Sequence, residues 1–125
     1  MGNAMTTIKL KRVYDQEEKS DGFRILVDRL WPRGMKKESL HDDLWAKELS
    51  PSSELRQWYH DDMEGRWKDF CRKYRSELEH SEAAKQLWAT IRSHKTITLL
   101  YAAKDENQNH ALVLKKFLDD LAADH

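Results

Sequence analysis

The sequence predicts an α/β fold: a small single-domain sheet with at least one parallel βαβ unit and helices packed on the sheet. Three observations carry that prediction. Apolar, β-branched segments open the chain and return near its end at residues 96–102. Between them lie segments whose apolar residues recur at three- and four-residue spacing, the helical period. The second strand candidate also contains the unbroken triplet Ile25-Leu26-Val27, which suits a strand covered on both faces, as in a parallel sheet.

Residues 7–14 alternate, with Ile8 and Leu10 on one face and Lys9 and Lys11 on the other, and read as the first strand. A polar stretch then closes on the turn signal Asp21-Gly22. Residues 23–30 form the second strand, stopped at Trp31-Pro32-Arg33-Gly34, because proline lacks an amide donor and glycine permits turns. Residues 36–49 fit either a short helix through Leu40, Leu44 and Trp45 or an edge strand through Trp45, Lys47 and Leu49. Ser50-Pro51 offers a cap and a first-turn proline for a helix reaching Tyr59. Trp67, Phe70, Cys71, Tyr74 and Leu78 make the clearest amphipathic stripe. Ser81 caps a helix carrying Ala84, Leu87, Trp88 and Ile91; the strand at 96–102 follows, then a helix over 111–121. A strand, a helical crossover and another strand favour a parallel pair.

Composition narrows the function. The chain has 125 residues, one domain's worth, with 22 Lys+Arg against 22 Asp+Glu. Zero net charge argues against a general polyanion binder. The balance is uneven along the chain: residues 1–40 hold nine basic and six acidic side chains (net +3), and residues 41–70 hold four and eight (net −4). Residues 71–125 hold nine and eight (net +1). Mean hydropathy is −0.90, so the core leans on five Trp, four Tyr and three Phe, each able to bury roughly 150–250 Å². No apolar run approaches the roughly 20 residues of a membrane span. Met1-Gly2-Asn3-Ala4 reads as an expression-tag remnant, leaving residues 5–125 as the domain. Cys71 is the lone cysteine, which excludes an internal disulfide and makes a reducing, cytoplasmic setting the default.

In open α/β sheets, ligands bind beyond the carboxyl ends of the strands. That rule selects residues 28–34 and 103–110. In the first, Arg29 and Arg33 flank a rigid proline corner, and the guanidinium fork suits phosphate or carboxylate. In the second, Lys104 precedes a helix start whose free amides attract anions. The ligand-binding candidates are Arg29, Trp31, Arg33, Lys104 and Asn109, with Trp31 offering a stacking surface. His110 is the candidate general acid or base, and Asp28 can orient either arginine or act as a base if desolvated.

Structural roles compete at each position. The arginines can pair with Asp28, Asn107 or Asn109 can cap the helix, His110 can be a hydrogen-bonded structural residue, and Lys104 can be a surface residue. Cys71 lies on an apolar stripe and reads as core, and His60-Asp61-Asp62 with Glu64 reads as a solvated helix end rather than a metal site. No cofactor motif, phosphate loop or nucleophile elbow is present. The competing readings are a nucleic-acid module using Lys9, Lys11, Arg12, Lys36 and Lys37 with Trp31, and a non-catalytic protein-interaction domain.

Lys11-Arg12-Val13-Tyr14-Asp15 and residues 24–34, ending in Trp31-Pro32-Arg33-Gly34, resemble the signature of the YeaO-like family, domain of unknown function four-eight-eight. The likeness continues through Trp45, Lys47-Glu48-Leu49, Ser50-Pro51-Ser52, Glu54-Leu55-Arg56, Phe70, Tyr74, Glu77-Leu78, residues 98–105 and Asn109-His110-Ala111. The resemblance implies a small cytoplasmic single-domain α/β protein with no assigned activity. By position, its signature residues here are Arg29, Trp31, Pro32, Arg33, Lys104, Asn109 and His110. Some relatives carry a transcriptional-regulator label, yet this chain shows no helix-turn-helix pair with a basic recognition helix.

Overall fold

The computed structural model describes residues 6–123, so the expected tag remnant at residues 1–4 lies outside the described residues. Among the described residues, four strands form one sheet: β1 (Thr7–Arg12), β2 (Phe23–Leu26), β3 (Leu44–Trp45) and β4 (Thr96–Tyr101), in the order β1-β4-β2-β3. Every pairing is parallel, with Ile8 opposite Ile97, Ile25 opposite Leu99 and Leu26 opposite Trp45. The helices are α1 (Ser53–His60), α2 (Met63–Glu79), α3 (Glu82–Ile91) and α4 (His110–Ala123). The α/β domain with a parallel crossover is therefore as expected.

The pleat divides the core. Ile8, Ile25, Val27, Ile97, Leu99 and Tyr101 face the helices and pack with Leu55, Tyr59, Phe70, Tyr74, Ile91 and Leu114. Leu26 and Leu100 point to the opposite face, where Val13, Leu40, Trp31, Met35 and Trp45 cover them. Ile25, Leu26 and Val27 are all fully buried, which is why that triplet carries no polar residue. The second face is covered by the loop between β2 and β3 rather than by a helix.

Several boundaries differ from the sequence reading, each for a local reason. β2 ends at Leu26 instead of residue 30, because the Asp28 carboxylate takes over the ladder by accepting the Ala102 amide (2.9 Å). β1 stops at Arg12, where Asp15 N–H turns back to the Arg12 carbonyl (3.0 Å). The ambiguous residues 36–49 become 3-10 turns at Lys37–Ser39 and Lys47–Leu49 around the two-residue edge strand β3. α1 starts two residues after the Ser50-Pro51 signal. Ser52 is its cap, accepting the Leu55 amide (3.2 Å), and its hydroxyl is in turn held by Glu77 (2.6 Å). Ser81 caps α3 as read, and Asp62 caps α2, which accounts for the acidic run before it. Cys71 is half-buried at the core's edge, and burial pushes its thiol up.

Gly22 follows Asp21 with φ +67°, ψ −134°, and a Cβ placed there would lie 2.3 Å from the Thr96 carbonyl oxygen. The turn needs both the left-handed backbone and the missing side chain, because β4 passes directly beneath it. Gly22→Ala should therefore destabilise the fold by about 2 kcal/mol or more, read by urea unfolding. A loss below about 0.5 kcal/mol, the range of ordinary surface substitutions, would show that β4 does not constrain this turn.

Candidate functional site

Because the strands are parallel, all their carboxyl ends lie on one edge of the sheet. α1 lies near that edge and α4 starts there, and between them is a cavity of about 280 Å³. Asp28 enters it from the end of β2, Ala103 from the end of β4, Arg56 and Tyr59 from α1, and Asn109 and His110 from the start of α4. Phe70, Met63, Leu30 and Pro51 supply its apolar wall. Leu30 and Met63 are exposed large apolar residues at its rim.

The floor is tightly organised. His110 Nε2 lies 3.0 Å from the Val27 carbonyl and 3.3 Å from Asp28 Oδ1, so its N–H is directed at the carbonyl and that tautomer carries the hydrogen on Nε2. Asp28 is fixed by the Ala102 amide on Oδ2, while its own carbonyl accepts Trp45 Nε1 (2.8 Å). Asp28 Oδ1 is buried without a hydrogen-bond partner, as is the Tyr59 hydroxyl. Burial pushes the Asp28 carboxyl above the usual carboxylate range, against the opposing pull of His110 and the Ala102 amide. Burial also raises the Tyr59 phenol.

Asn109 is the cap of α4. Its Oδ1 accepts the Leu112 amide (3.1 Å) and its Nδ2 donates to the Asp105 carbonyl (2.8 Å). Asp105 Oδ1 in turn accepts the amides of Asn107 (2.8 Å) and Gln108 (3.0 Å), which folds the loop that presents His110.

At the mouth, two guanidinium groups from distant segments meet. Arg29 Nη1 and Arg56 Nη2 both donate to Ser53 Oγ, at 3.0 and 3.1 Å, and Arg56 Nε donates to the Pro51 carbonyl. Neither has a carboxylate within ion-pair distance among the described residues, whereas Arg24, Arg66, Arg72 and Arg75 do. Arg29, Pro51 and Arg56 also border a more polar hollow of about 410 Å³, lined as well by Lys47, Glu48 and Ser52.

Of the residues selected from sequence, Asp28, Arg29, Asn109 and His110 gather around this cavity. Trp31, Arg33 and Lys104 do not line it. Trp31 turns under the opposite sheet face, donating Nε1 to the Met35 carbonyl (2.6 Å) and meeting Trp45 edge-on at 5.5 Å. Arg33 and Lys104 are exposed, and the Arg33 carbonyl accepts the Tyr14 hydroxyl (3.3 Å). Sequence reasoning missed Arg56 and Tyr59 as site residues. Their signal was slight: they are three apart on one helix and share a face. Among the described residues, no helix is long and apolar enough to cross a membrane, and no three His, Cys, Asp or Glu side chains cluster as metal ligands.

Comparison with known proteins gives a consistent picture. The family model for DUF488-N3i, described as the inactive DUF488-N3 subclade, matches residues 7–125. The uncharacterized protein YeaO of Escherichia coli K12 is 50% identical over 115 residues, covering 91% of this chain and 98% of YeaO. The uncharacterized protein Rv3073c of Mycobacterium tuberculosis H37Rv is 36% identical over 114 residues, covering 91% and 95%. No solved structure gives a significant match.

Proposed function

This chain belongs to the YeaO-like DUF488 family, in its inactive DUF488-N3 subclade, and from that premise we propose that it binds a small phosphate- or carboxylate-bearing ligand at the carboxyl ends of its strands. The observation that carries this reading is the arginine pair. Arg29 and Arg56 hold two positive charges against one neutral hydroxyl, with no carboxylate partner for either among the described residues. Like charges so placed repel, and an anion bridging them relieves the repulsion while using donors that the protein leaves spare. Ser53 opens α1, so the positive end of that helix adds to the same field.

Binding is favoured over turnover. His110 and Asp28 remain the acid/base candidates by chemistry, yet the Nε2 hydrogen of His110 is committed to the Val27 carbonyl. The subclade's description as inactive supports the same preference. The nucleic-acid alternative has fewer donors than the sequence promised. Lys9 and Arg12 donate to carbonyls, Lys11 is held by Asp21 and Glu18, and Trp31 is half-buried beneath Lys37.

Calorimetric titration with inorganic phosphate, phenyl phosphate and benzoate tests the reading. At least one probe should bind the wild type saturably, and Arg29→Met or Arg56→Met should weaken that binding about ten- to a hundredfold, the loss of one charged hydrogen bond. Failure of all three probes, or unchanged affinity in both variants, would overturn it.

A further inference from the structure

We infer that the cavity behind the arginine pair receives an aromatic group bearing an N–H donor, so the ligand is an amino-substituted or N–H heterocyclic aryl anion rather than a bare inorganic one. This rests on the anion-binding reading above and extends it to the part of the ligand that the arginines do not touch.

Buried polar atoms are nearly always paired. Among the described residues, three buried side-chain polar atoms have no partner: Asp28 Oδ1, Tyr59 Oη and Trp88 Nε1. The first two belong to residues of this same cavity. Neither is easily satisfied from within. Turning Asp28 to pair Oδ1 would abandon the Ala102 amide that Oδ2 accepts, and the adjacent His110 N–H is already committed to Val27. Tyr59 is held by stacking on Phe70 at 4.3 Å and by contact with Trp67 at 6.0 Å. Two residues of the cavity wall thus carry an unpartnered acceptor and an unpartnered hydroxyl that an incoming group can serve.

The remaining lining specifies what carries that group. Phe70, Leu30, Met63 and Pro51 offer flat or flexible apolar surface, which favours a planar ring over a polyol. About 280 Å³ accommodates a small ring system, and the polar hollow sharing Arg29 and Arg56 leaves room for the anion outside. An unpartnered acceptor on a lining residue selects a donor on the ring. A ring N–H or amino group meets Asp28 Oδ1, and Tyr59 Oη can donate to or accept from a neighbouring ring substituent. Burial that raises the Tyr59 phenol keeps it protonated and able to donate near neutral pH.

The test compares phenyl phosphate with 3- and 4-aminophenyl phosphate by calorimetry, alongside inorganic phosphate. The wild type should prefer at least one amino compound over phenyl phosphate by about tenfold, the worth of one hydrogen bond to a charged acceptor. In Asp28→Asn the amide oxygen must still accept from Ala102, which turns its NH2 into the cavity, so the preference should vanish or reverse. Tyr59→Phe should also lower affinity for the preferred amino compound while leaving inorganic phosphate unaffected, and it serves if Asp28→Asn does not fold. Equal binding of the amino and unsubstituted compounds, or a preference that survives Asp28→Asn, would overturn the inference and leave the anion site standing. Binding of inorganic phosphate without any aryl phosphate would do the same. If no probe binds at all, both readings fail together.

Discussion

Asp21→Ala is expected to destabilise the protein by about 3–5 kcal/mol, the cost of stranding a buried charge. Arg24 and Asp21 are each only 2% exposed and lie on the sheet face away from the helices. Arg24 Nη1 donates to Asp21 Oδ2, while Lys11 Nζ donates to Oδ1 at 2.8 Å. The Thr98 hydroxyl of β4 donates to the Asp21 carbonyl at 2.6 Å, tying the turn to the middle of the sheet. Arg24 has no other carboxylate within ion-pair distance among the described residues, so the variant leaves its guanidinium buried and uncompensated. Chemical denaturation reads the loss. The double variant Asp21→Ala/Arg24→Leu should recover much of it, since an apolar side chain tolerates that environment where a lone cation does not. A single-variant loss below about 1 kcal/mol, the ordinary value of an exposed ion pair, would show that the network is not buried in solution.

The same network sets the acid limb of stability. Burial alone pushes the Asp21 carboxyl up, but Lys11, the Glu18 amide and Arg24 together pull it below the usual carboxylate range. A carboxyl lowered in the folded state contributes stability above its unfolded pKa of about 3.9 and loses it as pH falls through the folded value. The stability gap between wild type and Asp21→Ala should therefore be full near neutrality and narrow below about pH 4.

This network also shows where the sequence is legible and where it is not. Asp21-Gly22 is readable as a turn because those residue types favour turns anywhere. That Asp21 would be buried against Arg24 is not readable, because the pairing depends on β4 arriving between β1 and β2 from residues 96–101. Strand existence follows the same division. The apolar runs of β1, β2 and β4 are visible, whereas two-residue β3 is held by backbone bonds from Asp43 to Arg24 and from Ala46 to Leu26 that no periodicity announces. The cap of α1 shifts from Ser50 to Ser52 for a similar reason: Glu77, 25 residues away, anchors Ser52.

The candidate site divides likewise. Asp28, Arg29, Asn109 and His110 are legible because the rule of carboxyl strand ends applies to any parallel sheet. Trp31 and Arg33 stand in the same selected loop but leave the cavity, because after Leu30 the chain turns to cover Leu26 and Leu100 on the opposite face. That face needed apolar cover, and Trp31 answers that need. Arg56 and Tyr59 reach the cavity only because α1 packs against α2 near the strand ends, a tertiary fact beyond the reach of local pattern.

Phe70→Ala should cost about 3–5 kcal/mol, the range for removing a buried aromatic ring. Phe70 is 2% exposed, stacks on Tyr59 (4.3 Å) and Trp67 (5.8 Å) and meets Tyr74 at a tilt (5.8 Å), joining α1 to α2. It is also wall to the cavity, so one ring serves both the core and the candidate site. Its loss should enlarge the cavity and remove the surface that holds Tyr59 in place. Stability and recognition then fall together, but unequally. Aryl phosphate binding should weaken, because it depends on the apolar wall and the Tyr59 hydroxyl. Inorganic phosphate binding should persist in the folded fraction, because Arg29 and Arg56 are held by their own hydrogen bonds to Ser53. Urea unfolding and paired titrations measure the two effects separately. Equal weakening of both probes would mean that Phe70 supports the arginine pair as well, and that the mouth and the interior are one coupled unit.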